Sequence, residues 1–313
     1  MTDEPHALPL APDFVPRQVA RSDLVREVSV IDLFTLERLD DQLFRNRINQ
    51  TNVNGTLFGG QVLAQSLAAA CGTVPESRPP HSLHGYFVRA GDASIPVLYQ
   101  VERTLDGGSF SMRRVIALQK GLPILYMECS FHQPEHSFDR QMPAPDVPRP
   151  EDLAPLAEIL QANADRVPQL YMDRFGDAAP FEVRPVDPTQ DLLPSANSRR
   201  AVWIRMPGMA AADSQLLHQI ALTYLSDFWL PVTAVAPYVP MVQVGSSMRL
   251  TSLNHAMWFH RPLRADEWLL YDADSPSMVN GTGISRGMLY DSSGMLVASV
   301  TQETLFRQLR PKG

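Results

Sequence analysis

One carboxylate stands apart in this chain. Asp227 follows Leu216-Leu217-His218-Gln219-Ile220-Ala221-Leu222-Thr223-Tyr224-Leu225-Ser226 and precedes Phe228-Trp229-Leu230, the most apolar surroundings of any acid in the sequence. Burying a carboxylate there costs several kcal/mol unless hydrogen bonds compensate. Two readings follow. Asp227 caps a helix turn ahead of Pro231, or it serves as a base or water-orienting group in a dry cleft.

A second group of residues has the chemistry to complement it. Phe58-Gly59-Gly60-Gln61 opens an Ala/Leu-rich run. Glycines at a helix start let a ligand approach free N–H groups, where the helix dipole favours a developing oxyanion. The same glycines also suit tight helix–sheet packing. The Gly-Lys-Ser/Thr ending of a phosphate loop is missing. Ser252 follows Leu250-Thr251, outside any Gly-x-Ser-x-Gly elbow, and Gln302 lies in the alternating Val300-Thr301-Gln302-Glu303-Thr304-Leu305-Phe306. Neither is a signal alone. His84, His255 and His260 sit beside aromatics on strand-like segments and read as structural. No His/Cys/Asp cluster has zinc-ligand spacing, so the expectation is neither metal nor cofactor. Cys71 and Cys129 lie in apolar runs and read as inert core thiols.

The elements that must position these residues occur twice, at an interval of roughly 170 residues. Residues 82–89, 96–105, 109–119 and 122–133 read as strands, and residues 252–261, 267–273, 283–291 and 295–306 repeat them. Asp106-Gly107-Gly108, Lys120-Gly121 and Asp291-Ser292-Ser293-Gly294 are hairpin signals. A helix-like stretch precedes each set, residues 60–74 and 216–235. A helix followed by a long antiparallel meander, made twice, predicts two modules packed as a pseudo-dimer. Counting from Arg89 and Arg261, Ser130 takes the place of Gln302 in the first copy, so one working site is expected. The expected organisation is a loose tail at 1–27, a first module at 28–135, a Pro-rich linker with a helix (residues 151–165) at 136–180, and a second module at 181–313. Residues 29–44 suit a short strand or helix leading in.

Composition narrows the function classes. The 313 residues carry 44% hydrophobic and 19% charged side chains with a net charge of -7, and no Lys/Arg block, which argues against a nucleic-acid partner. No apolar run approaches a membrane span, and Met1-Thr2-Asp3-Glu4-Pro5-His6 lacks the features of a signal peptide. With two cysteines and no disulfide framework, the expected compartment is the cytoplasm.

The sequence resembles the acyl-CoA thioesterase II family, the TesB-like double-hotdog thioesterases, over residues 28–309. The stretches that carry the resemblance are Phe58-Gly59-Gly60-Gln61-Val62, His81-Ser82-Leu83-His84-Gly85-Tyr86-Phe87-Val88-Arg89, Asp106-Gly107-Gly108-Ser109-Phe110, Ser226-Asp227-Phe228, Asn254-His255-Ala256-Met257-Trp258-Phe259-His260-Arg261-Pro262 and Val300-Thr301-Gln302-Glu303. It implies an α+β double hotdog, two antiparallel sheets each wrapped around a long central helix. It also implies hydrolysis of acyl-CoA to a free fatty acid and coenzyme A, with Asp227, Ser252 and Gln302 positioning the water. Phe58, Gly59, Gly60, Gln61, His84, Arg89, Met257 and Trp258 are then expected around the substrate, and Arg113, Arg114 and Arg261 join Arg89 as candidates for its phosphates. Asn254 departs from an acid often found before the histidine. A hotdog enoyl-CoA hydratase or dehydratase, using His84 or His255, and a non-catalytic acyl-CoA-binding protein are the alternatives. The mixed outer sheet face (Ser109, Met112, Arg114, Ile116, Leu118) predicts a homodimer or larger homo-oligomer.

Overall fold

The structure is a computed structural model that describes residues 16–18, 29–52, 54–176, 179–195 and 197–309. The expected loose tail therefore lies almost wholly outside the described residues. A short parallel pair, β1 (Arg17–Gln18) with β4 (Ile48–Asn49), stands apart from one twelve-stranded sheet. Its first half contains β2 (Leu36–Asp40), β3 (Leu43–Asn46), β5 (Pro80–Phe87), β6 (Leu98–Asp106), β7 (Phe110–Gln119) and β8 (Leu122–His132). Its second half contains β9 (Glu182–Pro185), β10 (Arg199–Arg205), β11 (Met248–Phe259), β12 (Leu269–Val279), β13 (Thr282–Asp291) and β14 (Leu296–Gln308). The spatial order is β2-β3-β6-β7-β8-β5-β11-β14-β13-β12-β10-β9, so the second half repeats the first in reverse.

The two halves join where β5 pairs antiparallel with β11, from Ser82 opposite Trp258 through His84 opposite Ala256 to Tyr86 opposite Asn254. A local two-fold axis passes between His84 and Ala256, and it relates Leu83 to His255. Leu83 pairs with Cys129 and His255 with Gln302. Cys129, and not Ser130, is therefore the register counterpart of Gln302. The hairpin from Leu289 to Ala298 holds one residue more than that from Ala117 to Leu125, which an ungapped count along the sequence conceals. Two of the turns are two-residue loops with positive φ at both positions, Lys120-Gly121 (50°, 75°) and Asn280-Gly281 (52°, 75°), as the twist of the flanking strands requires.

Each half-sheet curls around a helix, α2 (Gly59–Cys71) in the first and α6 (Gln215–Ser226) in the second. The leading segment is both of its expected forms in turn, a single-turn α1 (Val30–Phe34) followed by β2 and β3. α2 is buried nearly all round, which explains its Ala/Leu composition: small side chains let sheet and helix close on every side. The apolar run predicted to continue to Val235 breaks at Asp227. Pro231 has no N–H to donate to the Asp227 carbonyl four residues back, so α6 ends there and a short α7 (Leu230–Thr233) follows. The connection between the halves contains α3 (Leu156–Ala162), within the expected helix, and a second helix not anticipated, α4 (Gln169–Phe175). A four-residue α5 (Thr189–Leu192) precedes β10.

Candidate active site

The first turn of α2 lies against the last turn of α6. An added Cβ on Gly60 would sit 2.7 Å from the Tyr224 carbonyl oxygen, and one on Gly59 would sit 3.0 Å from Asp227 Oδ2 and 3.2 Å from the Phe87 ring. Gly60 is thus required by close approach of backbone, and Gly59 leaves room that the carboxylate and the Phe87 ring fill tightly. Asp227, at the C-terminal end of α6, is 6% exposed and turned toward the N-terminal end of α2. The first i→i−4 bond of α2 is donated by Val62 to Phe58, so the N–H groups of Gly59, Gly60 and Gln61 precede the helical ladder. The positive end of the helix dipole favours negative charge at this place.

Gly59 and Asp227 border a cavity of about 470 Å³ whose wall also includes Phe58, Phe228 and Ser252. Gln302 is fully buried one layer behind, where its Nε2 donates to Ser252 Oγ at 2.7 Å. Its Oε1 lies 2.6 Å from His255 Nδ1, and His255 Nε2 lies 2.9 Å from Ser226 Oγ. Tyr271 Oη donates to the carbonyl of Ser226 at 2.8 Å, which holds the peptide unit leading into Asp227.

A β-bulge makes this arrangement possible. Ser252 pairs with Thr304 and Asn254 with Glu303, leaving Leu253 as the extra residue. On a regular strand Ser252 and His255, three positions apart, would face opposite sides. The bulge at Leu253 brings both to the inner face, where one glutamine amide reaches the two. Nothing in the local sequence marks it.

Comparisons with known proteins bear on this geometry. Models of the acyl-CoA thioesterase N-terminal and C-terminal domains match residues 49–132 and 150–306. Acyl-coenzyme A thioesterase 8 of Homo sapiens is 37% identical over 90% of each chain, and acyl-CoA thioesterase 2 of Haemophilus influenzae is 34% identical over 89% of this chain and 97% of its own. The chain belongs to the acyl-CoA thioesterase family. Among solved structures, the acyl-CoA thioesterase II TesB2 from Mycobacterium marinum superposes with a TM-score of 0.72 at 37% identity, covering 89% of this chain and 98% of that one. The double hotdog expected from the sequence is the fold observed.

Several residues expected around the substrate lie elsewhere in this thioesterase. Met257 is fully buried and packs under α6, its sulfur 3.8 Å from Thr223 Oγ1. Trp258 and His84 face outward in an edge-on contact 5.1 Å between centroids, because strand alternation turns them away from the helix. The Gln61 side chain is spent on Gln50 N–H (2.7 Å) and the Ile48 carbonyl (2.6 Å), away from the cavity wall. Phe58 lines the cavity against Tyr224 and Phe228. Of the four arginines considered for phosphate, Arg89 borders the cavity. Arg113 is buried on Thr73 and Asp106, Arg114 pairs with Glu128 and Glu102, and Arg261 is engaged by Asp139. Asn254 faces outward, bonded to Glu303.

Sequence reasoning missed the contribution of the connection. Tyr171, Arg174 and Phe175 of α4 form part of the cavity wall, with Arg174 5.9 Å over the Phe58 ring. The available signal was the Tyr171/Phe175 pair one turn apart, directly after Pro168. Among the described residues the first module has no equivalent polar set: α2 ends on Gly72 where α6 ends on Asp227, and Leu83 and Cys129 replace His255 and Gln302. Burial raises the pKa of both Cys71 and Cys129, in keeping with inert thiols.

Burial also depresses His255, from 6.5 to about 4, against a smaller opposing effect of its bond to Gln302. Between those values the unfolded chain binds a proton that the folded chain refuses. Stability is present in full above pH 6.5 and is lost as pH falls toward 4, by about 3 kcal/mol for this group. Denaturant melts of the parent and His255→Leu at pH 7 and pH 4.5 should show the steeper acid loss in the parent. Equal losses would contradict the assignment of a buried neutral imidazole.

Proposed function

We propose that this acyl-CoA thioesterase cleaves its substrate by direct attack of a water molecule held by Asp227, Ser252 and Gln302. The observation that carries the reading is the Asp227 carboxylate facing the open N-terminal turn of α2 in the same cavity as Ser252. Asp227 accepts a proton from the water as its oxygen bonds to the thioester carbon. Charge moves onto the carbonyl oxygen, where the N–H groups of Gly59, Gly60 or Gln61 stabilise it. The carbon–sulfur bond then breaks, and coenzyme A leaves as a thiolate. Ser252, backed by Gln302, fixes the angle of attack. A thiolate leaves readily, so this route needs no covalent protein nucleophile. Phe58 and Phe228 offer apolar surface to the acyl chain, and Arg89 offers a cation at the cavity border.

The hydratase reading loses its support, since His84 faces outward and His255 has both ring nitrogens engaged behind Gln302. Incubation with a chain-length series of acyl-CoAs, following thiol release and enoyl absorbance together, tests the proposal. Thiol release alone is expected. Enoyl turnover without thiol release would refute hydrolysis, and binding without either signal would leave a sensor.

The assembly we expect is a homodimer or larger homo-oligomer. Around the local two-fold the outer sheet face exposes Tyr86, Tyr126 and Trp258, an aromatic strip that association would cover. Sedimentation at micromolar concentration should show a species heavier than one chain, and a pure monomer would contradict this. No helix among the described residues is long and apolar enough to cross a membrane. With Cys71 and Cys129 both free and buried, a reducing cytoplasm is the compartment we propose.

A further inference from the structure

We propose that His255 is a positioning residue, a neutral imidazole whose Nδ1–H orients the Gln302 amide and, through it, the Ser252 hydroxyl. The inference rests on the reading that Ser252 and Gln302 hold the attacking water, and it explains what fixes them.

A glutamine amide has one accepting oxygen and one donating nitrogen, and a neutral imidazole has one nitrogen of each kind. The chain Ser226–His255–Gln302–Ser252 therefore has only two self-consistent polarities. With the proton on Nδ1, Gln302 Oε1 accepts from His255 and Nε2 donates to Ser252 Oγ. The Ser252 proton then remains to donate toward the cavity. With the proton on Nε2, the amide must turn round and accept the Ser252 proton, and the cavity receives a lone pair instead. The observed contacts, Oε1 to Nδ1 at 2.6 Å and Nε2 to Ser252 Oγ at 2.7 Å, match the first polarity. Ser226 Oγ has two acceptors within reach, His255 Nε2 at 2.9 Å and the Thr223 carbonyl at 2.8 Å, and the first polarity assigns its proton to Nε2.

His255 also fixes a distance. It spans from Ser226, the residue before Asp227 on α6, to Gln302 on β14. The helix end that carries the carboxylate and the strand that carries the amide are thereby held in one register. In the first module the same places are taken by Leu83 and Cys129, in a sheet that folds the same way. The histidine–glutamine pair is not needed for the hotdog; it accompanies Asp227.

Two measurements test this. In uniformly ¹⁵N-labelled parent protein at pH 7, long-range ¹H–¹⁵N correlation of the His255 ring should show the Nδ1–H tautomer; the Nε2–H pattern would overturn the proposal. His255→Asn places an amide nitrogen where Nδ1 stood, whereas His255→Leu copies the first module. The leucine variant should lose about 10²-fold in kcat at unchanged KM, and the asparagine variant should recover much of that loss. Equal kcat in leucine variant and parent, or equal losses in leucine and asparagine, would also overturn it. Gln302→Ala, assayed alongside, separates the two levels. If it is impaired while His255→Leu is not, this inference fails and the water-holding role stands; if it is fully active, that role fails. Should His255→Leu not fold, the tautomer of the parent decides.

Discussion

Asp227→Asn is expected to lower kcat by about two orders of magnitude or more while the protein remains folded, as loss of a positioned base does. The carboxamide keeps the shape of the carboxylate, so the close fit against Gly59 and Phe87 survives. What is lost is the ability to take a proton from water as the carbon–oxygen bond forms. The charge that faces the α2 N-terminus is lost with it. No residue of the first module can substitute, because the corresponding helix end is Gly72. Steady-state kinetics with a soluble acyl-CoA, alongside an unfolding curve for the variant, measures both effects. Near-normal hydrolysis by folded Asp227→Asn would sink the assignment.

Gln302→Ala should lower kcat by about 10- to 100-fold with little change in KM. The amide is buried behind Ser252 and reaches the cavity only through that hydroxyl, so its removal costs alignment rather than substrate contact. The truncation also deprives His255 Nδ1 of its partner in a dry interior, which destabilises the fold by about 1–3 kcal/mol. The kinetic and stability effects are read separately. A pure rise in KM would place Gln302 among the substrate-binding groups instead.

The repeated meander was legible because its turns are chemically explicit: Lys120-Gly121 occurs where both backbone positions need positive φ, and Asp291-Ser292-Ser293-Gly294 ends on a glycine with positive φ. Asp227 was legible because a carboxylate in so apolar a stretch demands a reason. The Ser252–Gln302–His255 contacts were not, since they depend on a bulge at Leu253 that reverses the ordinary alternation of β11. The same alternation explains where two residues expected around the substrate lie. Met257 and Trp258 are both large and apolar, but adjacent strand residues point to opposite faces, and neither face of β11 at that level is the cavity. Arg113 looked like a surface charge able to meet phosphate, whereas its guanidinium is spent on the Thr73 hydroxyl, Asp106 and three backbone carbonyls. The contribution of α4 escaped because a seven-residue helix inside a Pro-rich connection has too little periodicity to announce itself.

The central claim is that water attacks the thioester directly while Asp227 only takes its proton. A single-turnover reaction in H₂¹⁸O, with enzyme in excess over acyl-CoA, tests it most directly. Direct attack predicts one ¹⁸O in the released acid and none in the peptide containing Asp227. An unlabelled acid together with ¹⁸O in the Asp227 carboxylate would mean that the carboxylate itself had attacked to form an anhydride, and would contradict the account.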